Sequence, residues 1–162
     1  MIPEFKSILY CTDLSENSSS AFRYAVSIAK ATGAGIHVMH VLERLSEDAV
    51  ITLQAFIQDD KQREAAIYER ARTAKALLDE RQDQFWQKVD EPDRALREMI
   101  KSVEVVESYP AEAILKRSRD RNCDLIIMGG HDRGASHHFL GSVAKSVLRR
   151  SDIPVMVAPI LK

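Results

Sequence analysis

Residues 36–42 read Ile36-His37-Val38-Met39-His40-Val41-Leu42, apolar at five of seven positions and without the alternation of a strand that keeps one face wet. A strand so composed is covered on both sides, which predicts a central strand of a parallel sheet flanked by helices. Upstream, Ser7 to Cys11 is a second short apolar run, and Thr12-Asp13-Leu14-Ser15 turns it towards a helix. Between the two runs Phe22, Ala25, Val26 and Ala29 fall at i, i+3, i+4 and i+7, and Gly33 supplies the left-handed residue that closes a helix. Strand, helix and strand at this spacing predict a right-handed crossover.

Downstream, Val103 to Val106, Leu125 to Met128 and Pro154 to Ala158 read as three further strands. Helices are predicted over Pro110 to Arg121, which opens on a proline, and over Ser142 to Arg150. This alternation predicts one α/β domain over residues 1–162, an open parallel sheet with helices on both faces. Residues of about 47–101 exceed a single crossover helix. Ile67, Ala71, Ala74, Leu78, Phe85 and Val89 form a helical stripe, and Val50, Leu53 and Ile57 predict a short helix ahead of it. Pro92 should break the helix before Ala95, Leu96, Met99 and Ile100 resume an apolar face. We therefore expect a helical insertion between strands two and three that lies against the domain, with Phe85 and Trp86 as core contacts.

A chain of 162 residues can bury one sizeable core, and 45% apolar with 29% charged residues excludes disordered and fibrous classes. A net charge of −1 gives no general attraction for polyanions, so neither nucleic acid nor a membrane surface is expected as a partner. Cys11 and Cys123 form no C-x-x-C pair and are expected to be reduced and structural. With no basic, apolar leader and no apolar run of about 18 residues, the expected location is cytoplasmic.

The segment Gly129-Gly130-His131-Asp132-Arg133-Gly134-Ala135-Ser136-His137-His138-Phe139-Leu140-Gly141-Ser142 follows strand four. Its glycines allow close backbone approach to an anion, and a helix starting near Ser142 points N–H groups and a positive dipole end at it. It also lies at the carboxyl end of a strand, where doubly wound sheets bind ligands. Neither G-x-x-x-x-G-K-[ST] nor G-x-G-x-x-G after strand one is present, which excludes P-loop hydrolases and dinucleotide dehydrogenases.

Taken in order, the first strand and helix (SILYCTDLSENSSSAFRYA), HVMHV, YPAEAILKRS, CDLIIMGG and LGSVAKSVLRRSDIPVMVAPI resemble the universal stress protein family. That resemblance implies a five-stranded parallel sheet of order 3-2-1-4-5 and, in the ATP-binding members, a loop G-x2-G-x9-G-[ST]. It implies ATP or AMP as cofactor, with or without Mg²⁺, framed by Asp13 and Val41 at the adenine and ribose. Met128 and Gly129 would start the phosphate loop, His131, Asp132 and Arg133 would continue it, and Gly141, Ser142 and Val143 would close it. It further implies a homodimer through the last strand, Ile153 to Ala158, an unprotected apolar edge. Two departures stand out: Gly141 lies 12 positions after Gly129 where the pattern has 13, and Asp132 replaces the second glycine. A carboxylate facing phosphates repels them unless a cation intervenes.

Plainer roles compete with these. Asp13 could cap the first helix, Gly141-Ser142 could be a loop glycine with a serine N-cap, and Arg133 could pair with Asp132 as readily as with phosphate. His131, His137 and His138 lack a convergent carboxylate or thiolate and read as loop histidines; no metal is expected. His37 and His40 fall on opposite faces of their strand and read as hydrogen-bonded core residues. No catalytic base is legible, so the chain reads as a nucleotide-binding regulatory module. A slow ATPase and a nucleotide-free dimer are the alternatives.

Overall fold

The computed structural model describes residues 1–15, 18–132 and 138–159, with residues 131, 132, 138 and 139 described by their backbone. The chain runs β1 (Ser7–Thr12), α1 (Ser18–Thr32), β2 (Gly35–Glu43), α2 (Glu47–Phe56), α3 (Asp60–Gln87) and α4 (Glu91–Arg94). A 3-10 turn (Ala95–Met99) leads to β3 (Ile100–Ser108), α5 (Pro110–Asp120) and β4 (Leu125–Gly129). Then follow β5 (His131–Asp132), β6 (His138–Phe139), α6 (Ser142–Arg150) and β7 (Val155–Ala158). The main sheet is parallel throughout, in the order β3-β2-β1-β4-β7, which is the expected order 3-2-1-4-5 for its five strands. A separate antiparallel ribbon pairs β5 with β6, His131 opposite Phe139.

Residues 36–42 are central, as their composition requires: Ile36, Val38 and Met39 are at most 1% exposed. Ile36 and Val38 pack with Ile8, Tyr10, Phe22 and Ala25 beneath α1 and α3. Met39 joins Leu9, Cys11, Ile126, Ile114 and Val147 beneath α5 and α6 on the other face. Gly33 has φ 77° and its N–H reaches Ala29 O at 2.8 Å, closing α1 as expected. At the amino ends of the strands, Asp124 Oδ2 accepts from the backbone N–H of Lys6 and of Ser7 at 2.7 and 2.8 Å, tying β1 to the start of β4.

The insertion is helical and docked. Leu78 and Trp86 are buried, Phe85 packs beside them, and the four rings of Tyr10, Phe22, Phe85 and Trp86 form one tilted and edge-to-face cluster. Two expectations need correction. The long helix ends at Gln87, before Pro92, and the proline instead occupies the first turn of α4, where a missing N–H costs nothing. Residues 95–100 do not resume a helical face: Ala95–Met99 is a 3-10 turn, and the third strand begins at Ile100, which pairs with Ile36. Among the described residues, no helix is long and apolar enough to cross a membrane.

Candidate functional site

Chain direction reverses about β1. The crossover through α1 carries β1 outward to β2, whereas the crossover through α5 carries β3 back across to β4 on the other side of β1. Loops leaving the carboxyl ends of β1 and β4 therefore diverge, and such a switch point opens a crevice in a doubly wound sheet. A cleft of about 480 Å³ lies there, within the usual size range of small-molecule sites.

Seven of the residues singled out in the sequence line this cleft together: Asp13, Val41, Met128, Gly129, Gly141, Ser142 and Val143. His131 and Asp132 are described by their backbone alone, in the β5–β6 ribbon that follows β4. Arg133 lies outside the described residues, as does His137. Among the described residues, no group of three His, Cys, Asp or Glu side chains converges in a metal-binding arrangement.

Each wall has a local cause. Thr12 Oγ1 accepts the Leu14 N–H at 3.0 Å and Asp13 Oδ1 accepts the Ser15 N–H at 3.0 Å, so Asp13 does shape the turn into α1. Leu14 adopts φ 62°, a left-handed backbone that is costly for a bulky residue and turns the chain sharply off β1. His40 Nδ1 sits 2.8 Å from Thr12 O; a carbonyl can only accept, so Nδ1 carries the proton and fixes the ends of β1 and β2 together. His37, on the opposite face of β2, meets Ser102 Oγ at 2.7 Å, and burial lowers its pKa from the ordinary histidine value.

The N-cap of α6 is Gly141 rather than a serine, with φ −61°, ψ 161° and no side-chain cap. Ser142 is thus the first helical residue, and among the described residues no side chain caps the backbone N–H groups of the first turn, whose residues line the cleft. Packing among the described residues does not demand glycine at the other end of the loop. Among the described residues, a Cβ on Gly129 would meet Ala21 Cβ at 3.8 Å, and one on Gly130 would meet Ala158 O at 3.5 Å and Val157 Cγ1 at 3.9 Å. Cys11 lines the floor, but burial pushes its thiol pKa up, so it is neither a thiolate nor a nucleophile near neutral pH. The Tyr10 hydroxyl donates to Ser18 O at 2.8 Å, and burial likewise raises its pKa.

Sequence reading missed Lys145, Pro110 and Ile114, which also line the cleft. Lys145 had a legible signal: it follows Ser142 by three positions and so shares its helix face. Pro110 and Ile114 come from α5, whose approach to the far wall depends on sheet order, which no local pattern encodes.

Comparison with known proteins agrees with this architecture. The sequence matches the model of the Universal stress protein family over residues 4–159. It is 25% identical to Universal stress protein MJ0577 of Methanocaldococcus jannaschii over 94% of each chain, and 26% identical to the stress response protein NhaX of Bacillus subtilis over 93% of this chain and 95% of that one. The solved structure of MJ0577 superposes with a TM-score of 0.64 at 24% identity, covering 99% of each chain. A universal stress protein in complex with cAMP superposes at 0.58 (22% identity, 98% and 100% coverage). One from Archaeoglobus fulgidus in complex with dAMP does so at 0.53 (17%, 96% and 99%). Matched along all but its first three and last three residues, and carrying the strand order that places a cleft between β1 and β4, the chain belongs to the universal stress protein family.

Proposed function

We propose that the chain is a cytoplasmic regulatory module that binds an adenine nucleotide, ATP or AMP, in the cleft between β1 and β4. The observation that carries this reading is the meeting of Asp13, Val41, Gly129, Gly141 and Ser142 around one cavity at the switch point. Val41 and Met128 supply apolar surface for the base, Asp13 a carboxylate for ribose hydroxyls, and the start of α6 its backbone N–H groups and the Ser142 hydroxyl for phosphate. Glycine at 129, which packing among the described residues does not require, suits a backbone that a phosphate approaches closely. That related folds have been solved with cAMP and dAMP supports an adenine nucleotide over other ligands of this size. Pairing of two β7 strands, at the edge of the sheet, would form the homodimer.

The test is recovery of nucleotide from purified protein. Heat-released ligand analysed by mass spectrometry should contain an adenine nucleotide, and calorimetry should show ATP or AMP rebinding. No co-purified nucleotide, together with flat titrations of ATP and AMP with and without Mg²⁺, would leave a nucleotide-free dimer as the better account. Asp132 and the shortened loop are what favour that account. Sedimentation of a monomer at micromolar concentration would remove the dimer from either reading.

A further inference from the structure

A second cavity, of about 490 Å³, lies on the α1 and α3 side of the sheet and shares Tyr10, Thr12 and Ser18 with the first. Three of its lining side chains are cationic, Arg23, Arg81 and Lys88, and none of them forms an ion pair among the described residues. Of the acidic pair at its rim, Asp93 is already held by Lys30 Nζ at 2.7 Å, leaving only Asp90 to oppose them. The lining is therefore in excess of positive charge, unlike the nearly neutral chain as a whole.

Two further groups are unusual. Gln82 is more than nine-tenths buried, at 8% exposure, and no protein group pairs with its Oε1. Arg81 Nε, from the neighbouring residue, is buried and equally without a protein acceptor. Buried polar groups are normally paired, and two adjacent exceptions beside one cavity need an explanation. Helix periodicity would have placed an apolar residue at 82, one turn beyond the buried Leu78 and one turn before the buried Trp86. The excess cations require a ligand with acidic groups, Arg81 an acceptor, and Gln82 Oε1 a donor.

We propose that this cavity binds a small organic polyanion that also carries a hydroxyl group, its acidic groups on Arg23, Arg81 and Lys88 and its hydroxyl on Gln82. Phe22 and Phe85 form the apolar wall against which the carbon skeleton lies. The site does not depend on nucleotide in the first cleft; its charged and amide groups belong to the second cavity alone.

Amide chemical shifts or calorimetry, at constant ionic strength and without added nucleotide, would follow two pairs of probes. Citrate is set against tricarballylate, which lacks only the hydroxyl, and glycerol 3-phosphate against propyl phosphate. One hydroxylated probe should bind, with roughly fivefold preference over its hydroxyl-free partner, the size of one hydrogen bond. The pair that binds identifies carboxylate or phosphate as the acid. Arg81→Gln should weaken binding about tenfold, as expected for a charge-assisted contact. Gln82→Leu should abolish the hydroxyl preference while leaving the melting temperature unchanged or raised, since it removes a buried unpaired amide; this variant keeps the test valid should Arg81→Gln fold poorly. Absence of binding by all four probes would mean that water alone fills the cavity and would overturn the proposal. So would binding that survives both substitutions, or a Gln82→Leu protein that melts lower yet keeps the hydroxyl preference.

Discussion

If the insertion is part of the core rather than a lid, truncating Trp86 must destabilise the whole domain. Trp86 is 4% exposed, and its ring stands edge-on to Phe85 at 5.1 Å and to Phe22 of α1 at 6.0 Å. Removing a buried aromatic side chain of this kind costs about 3–5 kcal/mol, of which each lost ring pair accounts for about 0.5–1.5 kcal/mol. Domains of this size have about 5–15 kcal/mol in total, so Trp86→Ala removes a large share. At about 2–4 °C per kcal/mol, the melting temperature should fall by roughly 6–20 °C. Urea unfolding of the parent can be followed both by fluorescence, since Trp86 is the single tryptophan, and by circular dichroism. The two transitions should coincide, because the fluorescence reports α3 and the dichroism the whole chain. A loss below about 1 kcal/mol in Trp86→Ala, or fluorescence changing well before dichroism in the parent, would show that α3 opens on its own and refute the reasoning.

Other outcomes follow from the same structure. Gly141→Val should abolish nucleotide binding in calorimetry by crowding the start of α6, while costing only about 1 kcal/mol in urea, because φ −61° and ψ 161° suit any residue and no cap side chain is lost. Asp132→Gly should tighten ATP binding by removing a like charge; weaker binding in the presence of Mg²⁺ would instead make Asp132 a metal-side group. Arg150 donates twice to Glu112, at 2.6 and 3.0 Å, and these hydrogen bonds hold the carboxyl below its ordinary value of 4.5. A depressed carboxyl stabilises above its unfolded pKa and loses that effect as pH falls through the folded one. The stability difference between parent and Glu112→Gln, measured in urea, should therefore be full at neutral pH, begin to decline as pH falls through about 4.5 and vanish only below the depressed folded value, and it should shrink in about 1 M salt. Cys11 and Cys123 are both buried with raised pKa, so a disulfide reagent should label neither in the native protein and both once urea unfolds it.

Particular residues show why some features were legible and others were not. Residues 36–42 announced a doubly covered strand because burial on both faces leaves an unbroken apolar run. The third strand was read only as Val103 to Val106, although it extends from Ile100 to Ser108: it is an edge strand, and Lys101, Glu104 and Glu107 interrupt its apolar pattern. On α3 the anticipated stripe missed position 82, since a buried glutamine looks like a solvated one in sequence. The residues lining the cleft at β1, β2 and α6 could be named in advance because a family pattern assigns them positions. The β5–β6 ribbon could not, because two-residue strands have no period to detect.

The two borders of the sheet differ in a way that bears on how large an assembly can grow. β7 is Val-Met-Val-Ala, with no charge along it, whereas Lys101, Glu104 and Glu107 stud β3, and Glu104 and Glu107 are engaged by Arg117 at 3.0 Å and Arg70 at 3.8 Å. A charged border is a poor template for an incoming backbone. Two copies meeting at β7 would thus present only their β3 borders outward, leaving no apolar end to propagate. Growth of such a dimer into a continuous ribbon would be disfavoured by the same three side chains that hid the full extent of the strand in the sequence.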